Sequence, residues 1–170
     1  MIPQKITDFY DKYKKMLYNT SLRITGDSFE AEEIMQDTVI KYLRNRKQEM
    51  SEEQVRVWLI RTCVRASIDM LRLRKGLKVK LESYAAENME EDTQPQWDSL
   101  MASGGADELV RKIQKTLLML PDGYRTVLSL LLFEGYDCSE AAQILNVAES
   151  TVRSQYLRGK RKLLQMLCNE

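Results

Sequence analysis

The chain has 170 residues, of which 44% are apolar, enough to bury one compact core or two small ones. It contains no histidine, the commonest general base and metal ligand, and none of the glycine-rich phosphate loops or nucleophile motifs of enzymes, so we expect no catalytic residue, metal or cofactor. The formal net charge of +1 hides a strong segregation of charge along the chain.

Apolar periodicity predicts two helices at the start of the chain. In residues 5–25 the apolar positions recur every three or four residues, and Gly26 supplies a stop. Asp27 or Ser28 can cap a second helix that runs to about Arg46. The positions that carry the period of the first helix are Ile6, Phe9, Tyr10, Tyr13, Met16, Leu17, Thr20 and Ile24, and the positions of the second helix expected to face inward are Ala31, Ile34, Met35, Thr38, Val39 and Tyr42.

A polar loop is predicted at residues 47–54, and a third long helix follows at residues 55–75. This helix is apolar around much of its circumference, which indicates a central place in a helical bundle. Arg61, Arg65 and Arg72 fall within about 40° of one another on a helical projection. They therefore form a basic stripe suited to the phosphates of a nucleic acid.

The composition changes after the third helix. Residues 81–108 contain eight acidic residues and no base, together with a proline and a Gly-Gly pair. This pattern predicts a linker at residues 81–107 between a domain at residues 1–80 and a domain at residues 108–170. One interpretation is that the linker is only a soluble connector between the two domains. The alternative is that this acidic segment lies in a basic channel of a partner and mimics nucleic acid.

Three helical segments follow the linker before the last, basic helix. Two apolar helices are predicted at residues 108–120 and 124–133, separated by a Pro-Asp-Gly turn. Asp137 and Glu140 have the spacing of a capping box for a short helix at residues 138–145. No segment has a convincing strand pattern, so the predicted fold is all-α with two small domains.

The end of the chain has the pattern of a helix-turn-helix. Asn146, a residue that tolerates a left-handed backbone, ends the short helix, and a basic helix begins after a turn of three residues. Ala142 is small where the two helices should touch, and Val152 is apolar where the second helix should pack back. In such motifs the second helix enters the major groove of DNA.

A helical projection sorts the residues of the basic helix into two faces. The stripe expected to face the core contains Val152, Tyr156, Gly159 and Leu163. The side expected to face DNA contains Ser150, Ser154, Leu157, Arg158 and Arg161, with Arg153 and Lys160 flanking it. Arginine pairs with guanine edges, serine contacts bases or phosphates, and an outward leucine suits a thymine methyl group. The alternative is a charged helix face that only contacts solvent.

The three cysteines, Cys63, Cys138 and Cys168, are odd in number and widely spaced. They predict reduced thiols in a cytoplasmic protein rather than a disulfide framework or a metal site. The N-terminal residues are too polar for a signal peptide, and no apolar run approaches the length of a membrane span. We therefore expect no membrane insertion.

Two parts of the sequence together resemble one family. Residues 120–164, LPDGYRTVLSLLLFEGYDCSEAAQILNVAESTVRSQYLRGKRKLL, resemble the promoter-reading domain of extracytoplasmic-function (ECF) sigma factors of the sigma-70 family. LRITGDSFEAEEIMQDTVIKYL resembles the segment of that family that binds core RNA polymerase, and VWLIRTCVRASIDMLRLRK resembles the helix after it. The resemblance covers nearly the whole chain, in the family's order.

The resemblance implies a role for each candidate residue. Glu33, Gln36 and Asp37 would dock on a coiled coil of the largest polymerase subunit, where an acidic helix face suits a basic partner. The loop at residues 47–54 would capture a base flipped from the promoter's −10 element. The −10 and melting set is Met50, Ser51, Trp58, Arg61, Arg65 and Arg72, in which Trp58 is alternatively a core residue. The −35 set is Ser150, Arg153, Ser154, Leu157, Arg158 and Arg161.

Three residues depart from the family's usual pattern. Arg65 stands where the family often has asparagine, and Leu157 stands where an aromatic residue or histidine is frequent. Ala148 replaces a proline or capping serine at the start of the last helix, and Glu149 compensates in part through the helix dipole. These departures concern the promoter sequence rather than the function.

The function implied by the resemblance is that of a non-catalytic subunit that binds core RNA polymerase and directs it to promoter DNA. Many members of the family are held inactive by an anti-sigma factor, which is therefore a candidate partner. A standalone helix-turn-helix regulator is the alternative, but it has no reason to carry the acidic EAEEIMQD segment. A deaminase or nuclease is disfavoured by the absence of histidine and of clustered metal-ligand carboxylates.

Overall fold

The computed structural model describes residues 3–45, 49–74 and 105–169. Within these ranges the chain forms helices and no strand, which confirms the all-α prediction, and it divides into two compact units, residues 1–73 and 74–170. The predicted linker falls largely outside the described residues, so its extent and its role stay predictions. No helix in the described ranges has both the length and the apolar character needed to cross a membrane.

The N-terminal unit is a bundle of three helices that pack pairwise: α1 (Gln4–Thr25), α2 (Ser28–Asn45) and α3 (Glu52–Leu73). Gly26 ends α1 in a left-handed conformation with a φ of 71°, as predicted. The buried side chains of its main cluster are Tyr13, Leu17, Ile34, Met35, Val39, Tyr42, Val55, Leu59 and Cys63. The third helix contributes to this core along most of its length, in agreement with its predicted central place.

Side-chain caps decide where α2 and α3 begin. The carboxylate of Asp27 accepts a hydrogen bond of 3.0 Å from the backbone N–H of Glu30, so Asp27 is the cap of α2. Ser51 and Gln54 form a reciprocal capping box, with bonds of 3.3 and 3.0 Å between their side chains and backbone N–H groups. For this reason α3 starts at Glu52, three residues before its predicted start, and the predicted loop is correspondingly shorter.

Ile6 has the apolar period of α1 but does not lie in the core. Its side chain is 36% exposed, and the whole first turn of α1 lies on the surface. The core begins one turn later, at Phe9, whose ring stacks on Tyr42 with a centroid distance of 4.8 Å. Periodicity assigned Ile6 to the correct stripe but could not show where the neighbouring helices stop covering that stripe.

The C-terminal unit contains α4 (Ala106–Leu118), α5 (Asp122–Leu128), α6 (Cys138–Leu145) and α7 (Glu149–Cys168). A π-helical turn at Ser129–Phe133 extends α5, and the backbone N–H of Glu134 closes it on the carbonyl of Ser129. Helix α7 packs against α4, α5 and α6 and is therefore the centre of this unit. Its main buried cluster is Leu117, Leu120, Tyr124, Leu128, Leu163 and Leu167.

Gly159 allows α7 to approach α5 closely. A Cβ atom at this position would lie 3.1 Å from the Cβ of Tyr124 and 3.3 Å from Cδ1 of Leu128. The first of these atoms is fixed to the backbone of α5 and cannot rotate away. Glycine in the middle of a helix is otherwise unfavourable by about 1 kcal/mol, so its place here is explained by the contact.

Candidate functional site

The N-terminal unit has an open cavity of about 680 Å³ beside the first half of α3. Its walls are formed by Glu49, Met50, Glu53, Gln54, Val57, Trp58, Arg61, Thr62 and Arg65. Four residues predicted to act at the −10 element, Met50, Trp58, Arg61 and Arg65, therefore line one surface. The volume lies within the range of about 300–1,000 Å³ that is typical of sites for small ligands.

Trp58 belongs to both the core and the cavity. Its half-buried ring lies against Tyr42 at a centroid distance of 5.6 Å and an angle of 60°. The same side chain lines the cavity. The two interpretations of Trp58 offered by the sequence are thus compatible, because the core fixes the orientation of an aromatic surface on which a base can stack.

The cavity wall is polar at both ends but differs in charge. Glu49 and Glu53 lie at the end near the start of α3, and Arg61 and Arg65 lie about two and three turns farther along the helix than Glu53. Both arginines are exposed, so their guanidinium groups can meet phosphate without the cost of desolvating a buried charge. The acidic end was not predicted from the sequence, since Glu49 and Glu53 belong to no motif.

Ser51 and Arg72 are not among the residues that line this cavity. Ser51 uses its hydroxyl to cap α3. Arg72 lies near the end of α3 and forms an exposed ion pair of 2.9 Å with Asp69. Exposed pairs of this kind contribute little energy, so Arg72 can still exchange its partner for phosphate. DNA binding by these two residues stays a prediction.

An ion pair between Lys12 on α1 and Glu52 ties the first turn of α3 to the bundle next to the cavity, with an N–O distance of 2.7 Å. The hydrogen bond from Lys12 lowers the pKa of the Glu52 carboxyl, and the same bond raises the pKa of Lys12. Both groups are exposed, so the pair orients this turn more than it stabilises the fold.

The residues predicted to bind polymerase lie together on α2. Glu33, Gln36 and Asp37 are all exposed, on the side of the helix that faces away from the core. Gln36 makes a long contact of 3.5 Å with the carboxylate of Glu32, one turn earlier. The geometry provides a continuous acidic and polar surface, and its binding to polymerase stays a prediction.

The C-terminal unit presents the predicted helix-turn-helix. Asp137 and Glu140 form a complete capping box at the start of α6, as predicted. Asn146 ends α6 in a left-handed conformation, with φ of 55° and ψ of 49°. The backbone N–H of Val147 donates to the carbonyl of Ala142 at 3.1 Å, and α7 starts without a side-chain cap at Ala148. The angle between α6 and α7 is thus set by local backbone geometry.

The inward face of α7 agrees with the prediction except for one addition. Val152, Gly159 and Leu163 are buried, and Tyr156 is half-buried. Gln155 is also buried, with no exposed surface. The sequence offered no sign of this, because a glutamine beside arginine and serine reads as part of a polar, DNA-facing run. Its burial leaves fewer side chains on the outer face.

The outward residues of α7 differ in their exposure. Ser150, Arg153 and Leu157 are exposed, whereas Ser154 and Arg161 are half-buried. Arg153 forms an ion pair with Glu149, one turn earlier, so this arginine is held near the start of the helix. The exposed residues of this predicted face therefore lie in the first three turns of α7, and the N-terminal part of a recognition helix is where bases are contacted.

The guanidinium group of Arg158 does not extend outward as predicted. Both of its Nη atoms are buried, and neither has a hydrogen-bond partner within the described part of the chain. The reason is its position about 60° from the buried Gln155 on the helix, at the edge of the core. A buried guanidinium without a partner is unfavourable, so an anion that draws it outward relieves a cost in the folded domain.

Two sequence profiles of one family match the chain. The profile of Sigma-70 region 2 matches residues 9–76, and the profile of Sigma-70, region 4 matches residues 111–163. Together they cover well over half of the chain. The first match contains the cavity and the acidic surface of α2, and the second contains the helix-turn-helix.

Curated relatives are similar along almost the whole length. The ECF RNA polymerase sigma factor SigW of Bacillus subtilis is 29% identical over 94% of this chain and 87% of its own length. The RNA polymerase sigma-H factor of Pseudomonas aeruginosa is 25% identical over 94% of this chain and 86% of its own length. The sigma factor RpoE from Bartonella quintana, solved in complex with the anti-sigma factor NepR, shares the fold with a TM-score of 0.55, at 20% identity over 95% of this chain and 97% of that one.

Proposed function

Because the chain belongs to the extracytoplasmic-function group of the sigma-70 family, we propose that it binds core RNA polymerase, recognises the −10 and −35 elements of promoters and directs transcription initiation. The observation that carries this proposal is that the family's two regions fall on separate units, one with a cavity on α3 and the other with a helix-turn-helix. The protein acts in the cytoplasm, where polymerase and promoter DNA meet.

The proposed opening of DNA requires no reaction at a side chain. A base that leaves the duplex stacks on Trp58 inside the cavity, and the backbone phosphates next to it meet Arg61 and Arg65. Binding to the melted strand shifts the equilibrium between closed and open promoter toward the open form. This role is that of a binding subunit, so we do not assign an enzymatic activity to the chain.

The −35 element is read by the first turns of α7. Ser150, Arg153 and Leu157 are exposed there and present a hydroxyl, a guanidinium and a branched apolar group to the major groove. Leu157 is the most unusual of these, since it is an apolar residue that is 36% exposed on a basic helix. Contact with a thymine methyl group accounts for it.

Run-off transcription with purified core polymerase tests the whole proposal. Core alone and core with this chain are compared on a pool of promoter fragments. We expect specific transcripts only when the chain is present. Core-independent binding of the chain to a duplex operator, with no transcript, would instead support the standalone regulator.

Replacing Arg158 with methionine should weaken −35-dependent initiation by about tenfold, because an arginine contact to DNA contributes about 1–3 kcal/mol. The thermal stability of the chain should stay the same or rise, since methionine removes a buried, unpaired charge and keeps the volume of the stem. The measurements are initiation on promoters with intact and scrambled −35 elements, and thermal unfolding. Equal initiation by both proteins on the intact promoter would contradict a DNA role for Arg158.

A further inference from the structure

Helix α2 carries two large apolar side chains on the side opposite its core face. Phe29 is 77% exposed and Ile40 is 43% exposed. Their separation of eleven residues corresponds to three helical turns, which puts them within about 20° of one another and about 16 Å apart along the axis. The core face of α2 consists of Ala31, Ile34, Met35, Thr38, Val39 and Tyr42.

Folding of the N-terminal unit does not account for Phe29 and Ile40. Neither contributes to the buried cluster of the bundle. Isolated exposed apolar residues are common, but two on one stripe of one helix form a surface that a partner helix can cover. Glu33, Gln36 and Asp37 lie between them on the same stripe. The stripe is thus apolar at both ends and acidic in the middle.

We propose that Phe29 and Ile40 are apolar anchors by which α2 binds core RNA polymerase, and that they meet a helical surface whose apolar residues are bordered by basic ones. This inference rests on the proposed function and adds to it the residues that supply most of the affinity. Buried aromatic and aliphatic anchors dominate the energy of protein interfaces, whereas charges near the rim act mainly on orientation and the rate of association.

The charges on this stripe decide between possible occupants. Glu32, Glu33 and Asp37 are exposed next to the two apolar residues. A nucleic acid would be repelled, because its phosphates carry the same sign of charge. A second copy of the chain would bring the same acids face to face. The remaining candidate occupant is a basic protein surface that carries apolar residues. Polymerase is the partner we infer, because the stripe is continuous with the residues expected to dock on it.

The test compares variants of the full chain for their affinity to purified core polymerase, measured by fluorescence anisotropy of a labelled chain. We expect Phe29→Ala to raise the Kd by about tenfold or more, since complete burial of such a side chain is lost, and Ile40→Ala to raise it several-fold. Two apolar residues of similar exposure on other helices serve as controls. Leu73→Ala is the control for Phe29, with 80% exposure, and Ile6→Ala is the control for Ile40, with 36% exposure.

Salt separates the apolar from the electrostatic contribution. Raising the salt from about 0.1 M to about 1 M shortens the Debye length from about 10 Å to about 3 Å. The fold increase in Kd caused by Phe29→Ala should therefore be the same at high salt. The fold increase in Kd caused by the double variant Gln36→Ala, Asp37→Ala should become smaller, because it depends on an exposed charge.

The possible outcomes distinguish this inference from the proposed function. If the wild-type chain binds core polymerase and Phe29→Ala does not change the Kd, the inference is overturned and the proposed function stands. The exposed stripe would then not be a binding surface for core polymerase. No binding of the wild-type chain to core would overturn the proposed function itself. Unchanged thermal unfolding of Phe29→Ala shows that the loss of affinity is not a loss of folding.

Discussion

Replacing Arg125 with methionine is expected to destabilise the C-terminal unit by about 3 kcal/mol. Arg125 is only 4% exposed, and its two terminal nitrogens are both engaged. Nη1 donates to the carbonyl of Leu120 at 2.9 Å, and Nη2 donates to the carboxylate of Asp122 at 2.6 Å. Methionine fills the volume of the stem but leaves a mostly buried carboxylate and a backbone carbonyl without these donors.

The two hydrogen bonds of Arg125 fix the turn between α4 and α5, and α7 packs against both of these helices. We therefore expect the Arg125 variant to lose −35-dependent initiation while its N-terminal unit retains affinity for core polymerase. A defect confined to one unit is possible because the chain forms two separate compact units.

Urea unfolding of the full chain measures the loss, and amide hydrogen exchange of peptides from each unit shows where it occurs. Arg111→Met is the matched control, because this arginine is exposed on α4 and should change stability by less than about 0.5 kcal/mol. Adding Asp122→Asn to the Arg125 variant should recover part of the loss by removing the unpaired charge. Equal stability of the Arg125 and Arg111 variants would contradict the role of the buried pair.

Most helix ends could be predicted because they depend on neighbours in sequence. Gly26, Asp27, Asn146 and the capping box at the start of α6 all act within four residues of the helix end that they define. The start of α3 differs from its predicted position by three residues, because the capping box of Ser51 and Gln54 begins the helix earlier than its apolar period does. The order and number of helices followed from these signals together with apolar periodicity.

Burial at the edges of the two cores could not be predicted in the same way. Ile6 matches the apolar period but is 36% exposed, whereas Gln155 belongs to a polar run and is fully buried. Arg125 was not singled out, since its two bonds exist only when the turn before α5 is formed. Each of these cases depends on the position of a neighbouring helix, which a periodic pattern along one helix does not contain.

The cavity on α3 was predictable only in part. Spacing on one helix brings Trp58, Arg61 and Arg65 to a common side, and the family resemblance added Met50. The acidic end of the cavity was not predicted, because Glu49 and Glu53 precede the predicted start of α3, which the capping box moves back to Glu52.

The double variant Arg61→Ala, Arg65→Ala is expected to reduce open-complex formation by about 100-fold. Each exposed arginine beside the cavity should contribute about 1–3 kcal/mol to binding of the melted strand, and two of them act on adjacent phosphates. Fluorescence of a 2-aminopurine in the −10 element measures strand opening by the complex of core and chain. The affinity of the double variant for core polymerase should not change, because both side chains lie on α3 and not on α2.

Arg56→Ala is the matched control, because Arg56 is an exposed arginine on the same helix that does not line the cavity. Binding of a single-stranded −10 oligonucleotide distinguishes capture of the melted strand from attraction to duplex DNA. If Arg61 and Arg65 hold the opened strand, their loss must also weaken binding of a single-stranded −10 oligonucleotide, and the salt dependence of that binding should become shallower by about 1.4 in logarithmic slope for two phosphates. Normal binding of the oligonucleotide by the double variant would show that the arginines act on the duplex before it opens.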